Sequence, residues 1–373
     1  MVNSIPMSQP WISEDDIQAV VDVLKTPTLS IGPKVRQFEE LIAAYTGTAH
    51  AVAVNSGTSG LHLSLAAAGI GQGDEVITSP FSFVASANCA IYQGATPVFA
   101  DIDARTLNID AACVREKITD RTRAIIPVDV FGQPAPREAI GEIAHHHDLV
   151  LIEDACEAIG AERHGVRTGG GGIQAAVFAF YPNKQMTTGE GGIIVTDDAS
   201  YAAILRSMAN QGRDDAGTWM NHVRLGYNYR LDEMSAALGI SQIRRLDEIL
   251  ARRERVASWY GERLCHIPGV EIPYVAPETT RMSWFVYAIR VAGSIDRDTL
   301  LARLADDGIP SRPYFVPIHL QPFYRERYGY TEGDFPVTES VARTTLAIPF
   351  FTEMTEAQVD RVCDRIAHYV TSC

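Results

Sequence analysis

The chain is poor in positive charge. It has 32 lysines and arginines against 46 aspartates and glutamates, which gives a formal net charge of −14. A surface with this balance repels polyanions, so we expect neither nucleic acid nor an anionic membrane as a partner. The deficit does not exclude a small phosphorylated ligand, because backbone dipoles can bind a phosphate group locally.

Cysteine pairs, metal motifs and long apolar runs are missing as well. The six cysteines show no C-x-x-C spacing, which favours free thiols in a reducing cytoplasm. The tract 145–147 is three histidines without further ligands beside them, so we expect no metal site. No apolar run is long enough to span a bilayer, and the N-terminus carries no signal pattern. We therefore expect a cytoplasmic protein of 373 residues, long enough for two domains.

Short apolar segments alternate with helical patterns through most of the chain. The predicted strands are residues 51–54, 75–77, 97–100, 124–126, 149–152, 176–180 and 193–195. Segments with helical spacing separate several of them, among them residues 59–68, 85–92 and 137–146. This alternation predicts an α/β fold with a mostly parallel seven-stranded sheet that is covered on both faces. Ligands of such sheets bind at the carboxyl ends of the strands.

A long helix is predicted from about Asp232 onward. Its apolar residues recur at helical spacing, and they are Ile243, Leu246, Leu250, Ala257 and Tyr260. We interpret this helix as the connection into a smaller domain of α+β character. The predicted domains are residues 1–244, with an N-terminal arm, and residues 245–373.

The candidate chemistry centres on Lys184. This residue follows a predicted strand and precedes a turn that contains Gly189, Gly191 and Gly192. A lysine at the edge of a packed core loses hydration, which favours the neutral amine and makes it a usable nucleophile. A surface lysine after a strand is the ordinary alternative. The glycines favour the first interpretation, because they let the backbone approach a ligand closely.

Three further motifs fall at the same predicted edge. Gly57, Thr58 and Ser59 open a helix after a strand, where free amides bind anions, although these residues also suit a simple helix cap. Asp154 ends another strand, where a carboxylate can keep a ring nitrogen protonated or can cap a helix. Phe83 can stack on a flat ring or pack in the core.

Together these motifs supply what pyridoxal phosphate needs. They offer a phosphate cradle, an aromatic ring for stacking, a carboxylate for the pyridine nitrogen and a lysine for a Schiff base. Each part has a separate task, because the protonated ring acts as an electron sink. Their joint presence is far more specific than any one of them, so the sequence predicts this cofactor.

The chain resembles the DegT/DnrJ/EryC1/StrS family of nucleotide-sugar aminotransferases, which have the aspartate aminotransferase fold (type I). The resemblance covers nearly the whole chain. It rests on residues 32–39 (GPKVRQFE), 56–59 (SGTS), 153–158 (EDACEA), 181–184 (YPNK), 187–192 (TTGEGG), 225–234 (LGYNYRLDEM) and 317–319 (PIH). It implies that Lys184 forms the Schiff base and carries a proton, that Asp154 pairs with the pyridine nitrogen and that Phe83 stacks on the ring.

The resemblance also implies roles for residues outside this catalytic group. Gly57, Thr58 and Ser59 would hold the cofactor phosphate. Asn228 would reach the phosphate of the neighbouring subunit, which implies a homodimer with shared active sites. His319 would lie on the substrate side.

Two positions depart from the family pattern. Many members have a serine at the position of Ala179, and its hydroxyl binds the phosphate. Many have glutamine or histidine where this chain has Glu157, near the ring hydroxyl of the cofactor. A glutamate there either donates a hydrogen bond in its protonated form or turns aside, and the sequence leaves both open.

The resemblance implies transfer of an amino group from an amino acid, with L-glutamate as the expected donor, to a keto sugar linked to a nucleoside diphosphate. Amino-sugar, polysaccharide or glycoside biosynthesis is the expected setting. A keto-cyclitol aminotransferase is the first alternative. A related sugar dehydratase would have histidine in place of Lys184, which argues against that activity. A non-enzymatic regulator on the same fold would have lost its site residues, and none is lost here.

Overall fold

The computed structural model describes residues 4–213 and 221–371. The five cysteines in these ranges are free thiols, and Cys373 lies outside them. Within the same ranges, no helix is both long enough and apolar enough to cross a membrane.

The strands and helices follow the predicted alternation. The strands are β1 (His50–Val54), β2 (Glu75–Thr78), β3 (Thr96–Phe99), β4 (Thr122–Ile126), β5 (Val150–Asp154), β6 (Glu162–Arg163), β7 (Val166–Arg167), β8 (Ala175–Ala179), β9 (Gly192–Thr196), β10 (Val270–Glu271), β11 (Thr279–Arg281), β12 (Tyr287–Val291) and β13 (Thr345–Ile348). The α-helices are α1 (Glu14–Leu24), α2 (Pro33–Thr46), α3 (Gly57–Ala67), α4 (Ala85–Tyr92), α5 (Ala111–Glu116), α6 (Arg137–His146), α7 (Ala199–Ala209), α8 (Glu233–Arg244), α9 (Leu246–Leu264), α10 (Arg297–Asp306), α11 (Pro322–Tyr328), α12 (Pro336–Thr344) and α13 (Glu356–Thr371). Two 3₁₀ turns, Val130–Gly132 and Ile318–Leu320, complete the set.

Seven strands form one central sheet in the order β1-β9-β8-β5-β4-β2-β3. β9 is antiparallel to both of its neighbours, and every other pair in the sheet is parallel. The predicted α/β fold with a mostly parallel seven-stranded sheet is therefore confirmed. The carboxyl ends of the parallel strands share one edge with the amino end of β9.

The two faces of the sheet are buried by different helices. Ile193 and Val195 of β9 pack with α2, α8 and α9, whereas Ile194 between them packs with α3, α4 and α7. This alternation follows from the two-residue period of a strand. Because both faces are covered, the strands read in the sequence as continuous apolar runs.

The single long helix predicted from Asp232 is wrong. The structure has α8 and α9 instead, with Arg245 between them in a non-helical conformation (φ −118°, ψ 16°). The guanidinium of Arg245 binds Asp16 and the carbonyl of Trp11, which ties this joint to the start of α1. The apolar period continues across the break because Leu246 is as buried as Ile243, so the sequence pattern carries no sign of it.

The last third of the chain has a core of its own. β10, β12 and β13 form a three-stranded antiparallel sheet that packs with α9, α10 and α13. Ile5, from the N-terminal segment, is buried in the same core, and its amide donates to the carbonyl of Gly308 at 2.9 Å. The N-terminal arm therefore packs on the C-terminal part of the chain. The division into domains at residue 244 stays a prediction.

Candidate active site

A cavity of about 500 Å³ lies at the shared edge of the central sheet. The turns that follow β1, β2, β4, β5 and β8 line it, as expected for a parallel sheet. Six of the predicted site residues are brought together in its wall, namely Gly57, Thr58, Phe83, Asp154, Glu157 and Lys184. Its volume lies in the usual range for a small-molecule site.

Lys184 lies just beyond the carboxyl end of β8. Its backbone amide donates to the carbonyl of Tyr181 at 2.9 Å, which closes a turn and directs the side chain inward. The side chain is 13% exposed, and its Nζ lies 3.7 Å from Oε1 of Glu157. Nζ also lies over the ring of Phe285, 3.8 Å from its centroid. The amine is thus enclosed by the cavity wall and is not a surface group.

Asp154 ends β5 with its carboxylate in the cavity wall. Oδ2 accepts a hydrogen bond of 2.6 Å from the hydroxyl of Ser86, and Oδ1 accepts one of 3.2 Å from the amide of Cys156. The predicted alternative, a helix cap, is wrong, because turns and β6 follow Asp154 where a helix was considered. Donors on both oxygens orient the carboxylate, which suits a group that must hold a proton on a ring nitrogen.

Glu157 faces the cavity and does not turn aside. Its Oε2 accepts from the amide of Phe131 at 2.9 Å, and this bond leaves Oε1 directed at Lys184. Burial raises the pKa of the Glu157 carboxyl, and the nearby Lys184 amine opposes that shift. Of the two alternatives that the sequence left open, the geometry retains the one in which the carboxyl faces the cofactor site.

The start of α3 forms the narrow end of the cavity. Gly57 and Thr58 are in the first turn, where amides have no acceptor within the helix, and both line the cavity with the N-cap residue Ser56. The prediction for Ser59 fares differently. Its hydroxyl donates to Asn55 at 2.7 Å, and it is absent from the cavity lining. Ser59 therefore supports the turn before α3, and Ser56 lines the cavity where Ser59 was expected.

Glycine is required at this end for close packing. A Cβ on Gly57 would lie 2.7 Å from Cβ of Ala179 and 2.8 Å from Sγ of Cys156. A Cβ on Gly192 would lie 2.5 Å from the carbonyl carbon of Ser56. The close approach expected of the glycine turn is therefore to the backbone at the start of α3. Ala179 offers only a methyl group here, so Ser56 and Thr58 are the nearby hydroxyls in the wall.

Besides Ser59, two predicted residues lie outside the cavity lining. Asn228 is exposed, and its backbone bridges to Asn210. His319 is fully buried, with Nε2 3.1 Å from Oε1 of Glu339 and with Phe335 against its ring. Burial lowers the pKa of the His319 imidazole, and Glu339 opposes that shift. The ring of His319 therefore does not face the cavity as the resemblance implied, because it is packed and paired below the surface.

Several wall residues were not identified from the sequence as site residues. Ser86 orients Asp154, while Phe285, Tyr314 and Phe315 come from the C-terminal part of the chain and close one side of the cavity. Only Ser86 had a usable signal, since it lies one helical turn beyond Phe83 at the start of α4. The aromatic residues lie more than 100 positions from Lys184, so no local pattern connects them with it.

The residues present fit pyridoxal phosphate. The cavity offers a carboxylate that accepts two hydrogen bonds, an enclosed lysine amine and free amides in the first turn of α3. At Gly57 in that turn, any side chain would clash. In addition, Oδ1 of Asn183 is buried in the wall with no hydrogen-bond partner among the described residues, which leaves an acceptor for a ligand. Within these residues no cluster of His, Cys, Asp or Glu could hold a metal ion.

Comparison with known proteins identifies the family. The sequence model of the DegT/DnrJ/EryC1/StrS aminotransferase family matches residues 10–367. The chain is 39% identical to the spore coat polysaccharide biosynthesis protein SpsC of Bacillus subtilis, over 98% of this chain and 97% of that one. It is 40% identical to the GDP-perosamine synthase of Caulobacter vibrioides, over 96% of each chain.

A solved structure gives the same result. The crystal structure of DesV from S. venezuelae, in complex with a ketimine intermediate, superposes with a TM-score of 0.92 at 35% identity and covers 98% of both chains. The match spans the cavity residues as well as the sheet, so fold and family agree. The chain belongs to the DegT/DnrJ/EryC1/StrS aminotransferase family, and it is a pyridoxal-phosphate-dependent aminotransferase.

Proposed function

We propose that this enzyme transfers an amino group from L-glutamate to the keto group of a deoxysugar linked to a nucleoside diphosphate. The observation that carries the proposal is Lys184, enclosed in a cavity beside Asp154 and Glu157, in a chain 40% identical to a GDP-perosamine synthase. The similarity to SpsC supports polysaccharide biosynthesis as the setting. A dehydratase of this family is disfavoured because it would need histidine at position 184.

The chain's own residues divide the work as follows. When bound, pyridoxal phosphate supplies an electron sink for the reacting carbon. Asp154, oriented by Ser86, would keep the ring nitrogen protonated, and Phe83, which lines the cavity, would offer its ring for stacking. Lys184 would hold the cofactor through its amine and would take up and return the proton.

The phosphate end is bound by backbone and small side chains. The first-turn amides of Gly57 and Thr58 attract an anion at the positive end of α3. Oε1 of Glu157 lies 3.7 Å from Nζ of Lys184, an ion-pair distance, and the same carboxyl would be near the ring hydroxyl. Phe285, Tyr314 and Phe315 of the C-terminal part of the chain form an aromatic wall on one side of the cavity.

A homodimer with shared sites is part of this proposal. Asn228 is exposed and lies outside its own cavity, and apolar residues near it in sequence are exposed too: Val223 is 50% and Leu225 is 76% exposed. Exposed apolar residues that are grouped together mark interaction surfaces, and these two lie within five positions of Asn228. A second copy of the chain would cover them and bring the amide of Asn228 to a neighbouring site.

The substrate assignment can be tested with the pyridoxamine form of the enzyme. It would be mixed with a panel of nucleotide-linked keto sugars and with a keto-cyclitol, and the products identified by mass spectrometry. We expect an amino sugar nucleotide from at least one panel member and no product from Lys184→Ala. Product from the keto-cyclitol alone would establish the alternative activity and overturn our assignment.

The role of Lys184 can be tested separately. Borohydride reduction of the yellow holoenzyme should fix the cofactor to one peptide, and that peptide should contain Lys184. A reduced adduct on any other lysine would overturn the assignment of Lys184.

The amino donor can be identified in a separate experiment, by incubation with glutamate, glutamine or aspartate followed by absorbance.

A further inference from the structure

One wall of the cavity is an aromatic face that touches the amine. Phe285 is 3% exposed, and the Nζ atom of Lys184 lies 3.8 Å from its ring centroid. An ammonium group is attracted to the negative face of an aromatic ring, most strongly where water is excluded. The ring has no polar atom, so it attracts the amine without fixing it by a hydrogen bond.

The backbone of Phe285 is held from two sides. Its amide donates to the carbonyl of Phe131 at 3.1 Å, and its own carbonyl accepts from Nη2 of Arg253 at 2.7 Å. The carbonyl of the preceding Trp284 accepts from Nε of the same guanidinium at 2.8 Å. Trp284 has a positive φ of 45°, so this segment adopts a conformation that bulky residues rarely take.

Arg253 is an unusual residue in this position. It is 2% exposed, and in the described ranges its guanidinium bonds to two carbonyls and to the hydroxyl of Thr352, with no carboxylate partner. Burying a cation without an anion is costly. An apolar side chain would fill the space without that cost, so the placement points to a specific task for the guanidinium.

We propose that Phe285 is a positioning residue that holds the released amine of Lys184, in its protonated form, on its ring face, and that Arg253 fixes this ring. The proposal rests on the assignment of Lys184 as the Schiff-base lysine. During each half-reaction the amine is free and must stay within reach of two carbons. An aromatic face keeps it in the cavity while leaving it able to move, which a carboxylate partner alone would not do.

The test uses the cofactor-free chain at one fixed pH. Acetic anhydride acylates neutral amines, and competitive labelling measures the rate at Lys184 relative to a reference amine. Phe285→Leu keeps an apolar side chain but removes the ring face, so the ammonium loses a stabilising contact. We expect Lys184 to be acylated about 2- to 5-fold faster in this variant.

Two matched variants separate the ring face from simple packing. Phe285→Tyr keeps an aromatic face and should return the labelling rate to that of the parent chain. Phe315→Leu alters another aromatic wall residue, one that the structure does not place on Lys184, and should leave the rate unchanged. An unchanged rate in folded Phe285→Leu, or an equal rise in Phe315→Leu, would overturn the proposal.

Arg253 is tested with Arg253→Lys and Arg253→Met. Methionine has no donor, and lysine lacks the planar fork that bonds both carbonyls at once, so the ring should become less fixed and Lys184 labelling should rise as in Phe285→Leu. If Arg253→Met does not fold, Arg253→Lys decides. A folded variant with parental labelling would remove Arg253 from the proposal. These rates need no substrate and no cofactor, so they can fail independently of the proposed function, which borohydride mapping tests.

Discussion

Asp154 illustrates how single residues are set in this site. Replacing it with asparagine keeps its size and its contacts with Ser86 and Cys156 but removes the negative charge. We expect Asp154→Asn to bind pyridoxal phosphate and to lose about two or more orders of magnitude in kcat, because the ring nitrogen is no longer kept protonated. Absorbance spectra and steady-state kinetics measure the two properties separately.

A control with the same chemical change is available in α7. Asp198 caps that helix through the amides of Ser200 and Tyr201, and asparagine is an equally good cap. Asp198→Asn should therefore have parental kcat. A near-normal rate in Asp154→Asn would show that Asp154 only closes a turn and has no role in the reaction.

A pair of buried acids lies behind Asp154. Asp129 is fully buried, and its Oδ1 accepts from the amide of Ala135 at 2.7 Å, while its Oδ2 has no hydrogen-bond partner among the described residues. The side chain of Glu153 is its neighbour, and its Oε1 has no hydrogen bond among the described residues but lies 3.8 Å from Nη1 of Arg137. The Arg137 charge favours the ionised form of both acids and so opposes the effect of burial on their pKa values. Burial raises the pKa of Asp129 well above its usual range and raises that of Glu153 as well. The pair therefore holds a proton that the unfolded chain releases.

This proton makes the stability depend on pH. Because the folded chain binds the proton and the unfolded chain loses it near pH 4, the contribution of this pair to stability is fully present below about pH 4 and is lost as the pH rises through the raised pKa. Asp129→Asn replaces the shared proton with a permanent amide donor toward Glu153. We expect the variant to be more stable than the parent at pH 9 by roughly 1–2 kcal/mol, with a smaller difference at pH 5.

Thermal unfolding between pH 5 and pH 9 measures this effect. Asp120→Asn, at an exposed turn, is the control and should follow the parent chain at every pH. Parallel curves for Asp129→Asn and the parent would show that no proton is shared.

At the scale of an element, the start of α3 is tightly constrained by its neighbours. Gly57→Ala would place a methyl group under 3 Å from Ala179 and Cys156, so α3 must shift away from the strands. We expect cofactor binding to weaken by about 1–3 kcal/mol, measured by titration of the cofactor-free chain. Gly261→Ala in α9 is the control, because its new Cβ would have no contact closer than 3.7 Å, and it should bind the cofactor as the parent does. Equal affinities for Gly57→Ala and the parent would separate α3 from the phosphate site.

The central sheet was predictable because its strands are apolar on both faces. Segments such as 124–126 and 193–195 are uninterrupted runs between polar turns, and a strand that is buried on both faces needs nothing else. The joint at Arg245 was not predictable, because it interrupts the helix without glycine or proline and is held by Asp16, more than 200 residues away. α5 and α7 were not predicted either, because these short amphipathic segments do not stand out from the sequence around them.

The candidate site was predictable to the extent that its residues lie at strand ends. Lys184, Asp154 and Gly57 each follow an apolar run, so a parallel sheet brings them to one edge. The residues that orient or cover them come from other elements. Ser86 on α4 had a local signal through its spacing from Phe83, whereas Phe285 before β12 meets the site only through tertiary packing, which no local pattern in one sequence contains.

At the scale of the whole molecule, a shared site has a quantitative consequence. If Asn228 completes the partner's phosphate site, Lys184→Ala and Asn228→Ala should rescue each other in mixed dimers. One site of a mixed dimer then contains both defects and the other contains neither. With random reassortment about half the dimers are mixed, so about a quarter of all sites regain activity under two-fold symmetry.

Co-refolding the two variants and measuring activity against each parent alone tests this arrangement. Asn228→Ala must first be shown to be severely impaired, and mixed dimers must be confirmed by differently tagged chains. No recovery under these conditions would place Asn228 in its own subunit's site or outside both.

The reversed direction of β9 has a consequence for how this enzyme tolerates changes of length. In the parallel part of the sheet, each strand has one connection at the active edge, which is the edge that carries the cavity, and one at the opposite edge. The connection between β8 and β9 has both of its ends at the active edge, since Ala179 pairs with Gly192, and Lys184 lies within it. Both ends of an insertion there would lie at the edge of the sheet that carries the cavity. The turn between β9 and α7 lies at the opposite edge. An insertion between β8 and β9 should therefore displace Lys184, whereas one between β9 and α7 should leave it in place.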